Sequence, residues 1–174
     1  MNRVFRIFWY VLGGAAIVIG SFIGTLWLIT PTYEAALPHI SSGQVLEFTN
    51  GKNSTALIDG WSVAEGWGRW SDDTRARVGS FVSGPVSKAS IKGRAFLPPQ
   101  IPQQTVEVWA GRTLLKTLQI SVPELTFDVP LASVSVNPLV LTLVFHSGRS
   151  PKELGISEDA RKLAFGIYSI KFEP

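Results

Sequence analysis

The sequence predicts an all-β domain, an antiparallel β-sandwich of jelly-roll type, preceded by one N-terminal transmembrane helix. Three observations carry that expectation. An uncharged apolar run fills residues 7–30, hydrophobic residues beyond residue 43 recur with a period of two, and turn-forming pairs cut that pattern into short pieces. Only 17% of the 174 residues are charged, against roughly 25% in soluble domains, and the deficit sits in the first thirty.

Residues 1–6 precede the run and hold Arg3 and Arg6. Ile7–Thr30 reads IFWYVLGGAAIVIGSFIGTLWLIT, 24 residues without a charge. At 1.5 Å per residue such a helix spans a hydrocarbon core of about 30 Å. A cleaved signal peptide is the rival, but its apolar region is only roughly 7–15 residues long and ends in small residues. Here cleavage after Ala36 or Ala35 would place Glu34 or Tyr33 two residues before the cut. An uncleaved anchor is therefore expected. Trp9 and Tyr10 at one end and Trp27 at the other suit the two interfacial belts, and Arg3 and Arg6 keep the N-terminus cytoplasmic. In a bacterial inner membrane the rest of the chain then lies in the periplasm. Gly20 and Gly24 form a GxxxG that would admit a partner helix, although glycine is also common in such helices for no such reason.

Residues 31–42, PTYEAALPHISS, read as a tether, and residues 43–174 as the sandwich. Gln104–Trp109 alternates, with Val106 and Val108 on one face and Thr105, Glu107 and Trp109 on the other. Ala110-Gly111 then reads as a hairpin turn into RTLLKTLQI. Leu139–His146 is apolar on both faces except at Thr142, the pattern of a central strand covered twice. Gln44–Thr49, Thr55–Trp61, Arg75–Val82, Ser87–Leu97, Leu125–Val129 and Ala164–Phe172 complete the expected strands. Asn50-Gly51, Gly84-Pro85, Pro98-Pro99, Val122-Pro123 and Asn137-Pro138 separate them. Periodicity alone leaves a jelly roll and an immunoglobulin-like sandwich both open.

Composition excludes several functions. Setting aside Arg3 and Arg6 lowers the basic count from 16 to 14 against 13 acidic residues, so the net +3 becomes +1, too little for an electrostatic nucleic-acid binder. With no cysteine, disulfide frameworks, thiol catalysis and cysteine-rich zinc sites are out. Catalysis is poorly supplied. His39 falls in the tether and His146 at a strand end, with neither metal-ligand nor nucleophile spacing. Gly66-Trp67-Gly68 lacks the strand–loop–helix setting of a dinucleotide site, and Asp72-Asp73 reads as a solvated turn. No enzyme activity, cofactor or metal is expected.

The informative segment is Asp59–Asp73, DGWSVAEGWGRWSDD. It brings Trp61, Trp67 and Trp70 together with Glu65 and Arg69. Indole faces stack on the C–H faces of sugar rings, while carboxylate, guanidinium and hydroxyl groups bond sugar hydroxyls. The same composition also closes the end of a sandwich, with tryptophans capping the core. Trp61, Ser62 and Ser71 read as structural; Trp67, Trp70, Glu65 and Arg69 are the candidate sugar contacts. A second unusual segment, Ser150–Leu163, SPKELGISEDARKL, is a long polar loop between apolar strands, where binding residues often gather. It adds Asp159 and Arg161 as candidates, with Glu65 and Arg161 expected to pair between the two segments.

The pattern GWS-x-x-E-x-WGRWS at Gly60–Ser71, followed by SPKELGIS-x-D-x-RKL-x-x-GI at Ser150–Ile167, resembles the accessory domain at the C-terminal end of phosphoglycerol transferase I. That enzyme decorates osmoregulated periplasmic glucans. Similar sandwiches, like those of carbohydrate-binding modules, accompany other membrane-bound enzymes of envelope polysaccharide. Trp61, Ser62, Glu65, Trp67, Arg69, Trp70 and Ser71 match the first motif; Asp159, Arg161 and Lys162 match the second. Ala164-Phe165 departs, standing where the family more often has small, glycine-containing pairs. The transferase's chemistry belongs to a separate metal-dependent domain without a counterpart in these 174 residues, so the resemblance implies the accessory module alone. It implies a non-catalytic carbohydrate-binding module assisting the synthesis, modification or export of envelope glycan. The alternative is a docking subunit of a membrane glycosyltransferase or polysaccharide assembly complex that binds no sugar.

Overall fold

The structure is a computed structural model that describes residues 36–174. The expected cytoplasmic segment at 1–6, the expected anchor at 7–30 and the Gly20–Gly24 pair lie outside the described residues. Among the described residues, no helix is long and apolar enough to cross a membrane.

Eleven strands follow one another along the described chain. They are β1 (His39–Ser41), β2 (Val45–Glu47), β3 (Leu57–Asp59), β4 (Arg69–Trp70), β5 (Arg75–Ser83) and β6 (Lys88–Ala95), then β7 (Gln104–Ala110), β8 (Thr113–Ile120), β9 (Glu124–Pro130), β10 (Leu139–Phe145) and β11 (Phe165–Glu173). Two single 3-10 turns, Thr49–Gly51 and Ser54–Ala56, lie between β2 and β3, and no α-helix forms among the described residues. The all-β expectation matches this architecture.

Two sheets result. The six-stranded sheet runs β1-β5-β10-β7-β8, with β3 beside β1 on the same edge of β5. The five-stranded sheet runs β2-β11-β6-β9, with β4 sharing the β2 edge of β11. Every pairing is antiparallel except β1 with β5. Period-two patterning explains the burial. In β6, KASIKGRA, Ala89, Ile91 and Ala95 point inward while Lys88, Ser90, Lys92 and Arg94 point out. Val106 and Val108 of β7 and Leu141 and Leu143 of β10 meet Ile91, Ile170 and Phe172 of the other sheet in one shared core cluster. Fully burying each such side chain contributes about 1.5–3 kcal/mol.

Three expectations need correction. The tether ends sooner than residue 42, because His39–Ser41 pair with Phe81–Ser83, and the His39 ring stacks on Phe81 at 4.5 Å. Two further residues, Arg69–Trp70, form the unexpected β4. Leu139–His146 is central within its sheet but covered on one side only: Leu139, Leu141, Leu143 and Phe145 are buried, whereas Val140, Thr142 and Val144 are half-buried on the outer face. β-branched residues satisfy an outer sheet face through cross-strand contacts without a second layer above them.

Candidate functional site

The Asp59–Asp73 segment folds as an irregular hairpin laid against the edge of β11. Its ladder is built by Trp61 bridging Ser71, Ser62 N–H donating to Trp70 O at 2.8 Å, Asp72 N–H to Gly60 O at 2.9 Å, and Glu65 N–H to Gly68 O at 2.9 Å. Gly60 begins it at φ 75°, where a Cβ would stand 2.0 Å from Arg75 O, so only glycine admits the close approach to β5. The ladder sends alternate residues to opposite sides. Ser71 is fully buried, and its hydroxyl accepts the Ala164 and Phe165 N–H groups at 3.2 and 3.1 Å, tying the hairpin to the start of β11. Trp61 rests against the core edge and donates its indole N–H to Arg77 O at 2.8 Å. Arg69 turns under the hairpin, donating to Ser54 Oγ at 2.8 Å and to Ser62 O at 3.4 Å. Trp61, Ser71 and Arg69 are thus tied into the fold.

The Ser150–Leu163 loop closes on itself and straps onto that hairpin. Arg149 and Leu163 bridge its base, Lys152 N–H donates to Asp159 O at 2.8 Å, and Ser150 Oγ accepts the Glu153 N–H at 3.0 Å. Asp72 receives the Lys162 N–H at 3.1 Å, while Asp73 accepts the N–H of Thr74, so both aspartates serve turns. The strongest tie is ionic. The Arg161 guanidinium takes both oxygens of Asp159, at 2.7–3.1 Å, and reaches across to Glu65 Oε1 at 2.9 Å and Ser62 Oγ at 3.2 Å. The other Glu65 oxygen accepts the Trp67 indole N–H at 2.8 Å. Glu65 and Arg161, residues 96 positions apart, therefore meet. The Arg161 guanidinium holds the Asp159 carboxyl below its usual range, and Asp159, with help from Glu65, raises Arg161 in turn. Partners within the fold thus claim Glu65, Asp159 and Arg161.

Trp67 and Trp70 come to the outer face of the five-stranded sheet. Trp67 lies over Gly166, where a Cβ would stand 2.5 Å from the indole, so a side chain at 166 would displace the ring. Its ring meets Trp70 and Tyr168 edge-on, each at 5.2 Å between centroids, and Arg94 stands over both indoles at 5.3–5.4 Å. Beside this cluster opens a concavity of about 390 Å³, lined by Trp67, Tyr168, Lys92, Glu47, Thr49, Glu124 and Ser169. Tyr168 donates to Glu124 at 2.8 Å; burial, then that carboxylate, raise the phenol above its usual value. By contrast, the side chains of Glu47, Thr49 and Ser169 make no hydrogen bond or ion pair among the described residues, and Lys92 has only the Tyr168 ring, 5.9 Å away. An aromatic wall beside unspent donors and acceptors is the chemistry that receives a polyol.

Elsewhere the chemistry is thinner. A larger concavity of about 530 Å³ lies between Gln100, Gln103, His146 and Arg149, with no indole, phenol or phenyl ring in its lining. His146 Nε2 stands 3.2 Å from Glu107, whose other oxygen takes the Trp109 indole N–H at 3.0 Å. No group of three or more His, Asp or Glu placed to hold a metal occurs among the described residues.

Sequence reasoning missed Tyr168, Lys92, Glu47 and Glu124. The alternation of KASIKGRA does put Lys92 on an outer face. Tyr168, however, sits in a register shift between Ile167 and Ser169, which breaks the alternation that would have assigned its side. Neither the family models nor the curated proteins compared with this chain give a match.

Proposed function

We propose that this chain is a membrane-anchored, non-catalytic carbohydrate-binding module, displayed in the periplasm to assist the synthesis, modification or export of envelope glycan. One observation carries the reading: the groove beside Trp67 and Tyr168 pairs aromatic surface with a carboxylate, an ammonium and two hydroxyls that make no hydrogen bond or ion pair with any described residue. The uncharged Ile7–Thr30 run supplies the anchor, and Arg3 and Arg6 its direction. The sandwich is of jelly-roll type. Each connection along the chain except the β7–β8 hairpin crosses from one sheet to the other, the alternation expected when a long hairpin is rolled into two sheets.

A docking subunit that binds no sugar is the second reading. It is favoured by the Glu65–Arg161–Asp159 cluster, whose polar groups are spent inside the fold. The full-length chain in mild detergent, applied to an array of bacterial envelope glycans, decides between them. Binding to neutral or charged glycans is expected under the first reading. Absence of binding, with capture of a membrane glycosyltransferase from solubilised envelopes, supports the second.

A further inference from the structure

The outer face of the five-stranded sheet has an order that the groove alone does not convey. The registers put Glu47 of β2 opposite Ser169 of β11, Ser169 opposite Lys92 of β6, and Lys92 opposite Thr126 of β9. These four polar side chains form a row across the strands, and Glu47, Lys92 and Thr126 are exposed. One step along the strands, Gly166 under Trp67 lies opposite Arg94, and Arg94 opposite Glu124. Tyr168 enters between the two rows at the register shift. A row of Trp67 above Gly166, Arg94 and Glu124 thus runs beside the polar row, perpendicular to the strands, with Tyr168 between them.

We infer that the ligand of this face is an extended, uncharged oligosaccharide lying across the strands from Glu47 to Thr126, its ring faces on Trp67 and Tyr168. The inference rests on the carbohydrate-binding reading and adds the ligand's charge, length and direction. Three interstrand gaps of about 4.8 Å make a row of about 14 Å, the length of roughly three pyranose rings in an extended chain. The charges settle the class. Glu47 on β2 and Glu124 on β9 carry two negative charges, and between them Lys92 and Arg94, neighbours on the outer face of β6, carry two positive. An acidic glycan would bring its carboxylates against Glu47 and Glu124, whereas sugar hydroxyls both donate to carboxylates and accept from ammonium groups. Four charges that sum to zero, with a carboxylate on each flank, therefore favour hydroxyls over a chain of like charges.

Calorimetric titration of the full-length chain in mild detergent tests this. The probes are β-1,3- and β-1,4-linked gluco-oligosaccharides of two to six units and oligogalacturonates of matching length. Affinity should climb about tenfold or more from two units to three, then level off, and the uronates should bind more weakly. Thr126→Arg, at the exposed far end of the row, should weaken the three-unit chain about tenfold while leaving the two-unit chain unchanged. Failure of all these chains to bind, affinity independent of length, or stronger binding of the uronates overturns the inference. An array that gives glycan hits alongside any of those results leaves the carbohydrate reading standing, whereas an array without hits removes both.

Discussion

Replacing Arg161 with methionine keeps most of the side-chain volume but strands two carboxylates beside one another. The guanidinium bonds Asp159 through two nitrogens and Glu65 and Ser62 through the third. The three charged side chains are 29%, 26% and 31% exposed for Arg161, Asp159 and Glu65. That exposure places the cluster between two regimes. Solvated pairs contribute about 0–1 kcal/mol each, and breaking a buried pair costs about 3–5 kcal/mol. With two pairs lost and solvent still screening both carboxylates, Arg161→Met should cost about 2 kcal/mol. Urea unfolding of the full-length chain, followed by tryptophan fluorescence, reads this directly, because Trp67 bonds the same Glu65. For a slope of about 2 kcal/mol/M, the midpoint should fall by about 1 M. A double-mutant cycle with Glu65→Gln should return a coupling of about 1 kcal/mol, as residues in one network do not add. A midpoint shift below about 0.3 M would refute the claim that Arg161 fastens the two segments together.

Other consequences are as definite. Ser71→Ala removes the acceptor of two buried N–H groups and should destabilise by about 1–3 kcal/mol in the same urea assay; an unchanged midpoint argues against its role as a strap. The pH dependence has a fixed sign: Asp159 titrates below its ordinary 3.8 in the fold, so its contribution is present above 3.8 and disappears as pH falls through the lower folded value. Asp159→Asn should therefore flatten the acid limb of the stability–pH curve, and an unaltered limb would remove Asp159 as its source. Under the proposed topology, in which Arg3 and Arg6 direct the N-terminus inward, a periplasm-dependent reporter fused after Pro174 should be active; activity of a cytoplasm-dependent reporter alone reverses the topology.

Much of the fold could be read along the chain because most strands are long enough to show their alternation. β6, β7 and β10 each bury every second residue, and the turn pairs around them are local chemistry. β1 and β4 escaped because three and two residues are too few to show a period, and both owe their existence to the edge they pair with. The site divides in the same way. Trp67 and Trp70 announced themselves as a cluster within ten residues of sequence. Which face they serve depended on Gly166, a backbone opening that no propensity reveals. Glu65 and Arg161 were legible as partners only through the pairing of two motifs, since contact across 96 residues leaves no periodic trace. The polar row of Glu47, Ser169, Lys92 and Thr126 comes from four different strands and exists only once the register is set.

Lys92→Ala offers the most direct test that the open groove, and not the Glu65–Arg161 cluster, is the ligand surface. The side chain is exposed and makes no hydrogen bond or ion pair among the described residues, so its removal should leave the unfolding midpoint where it is. A hydrogen bond from a charged donor contributes about 1.5–3 kcal/mol, so the affinity of the full-length chain for its bound glycan should drop about tenfold or more. Glycan affinity equal to that of the wild-type chain, measured by the same titration at the same salt, would contradict the assignment of this groove.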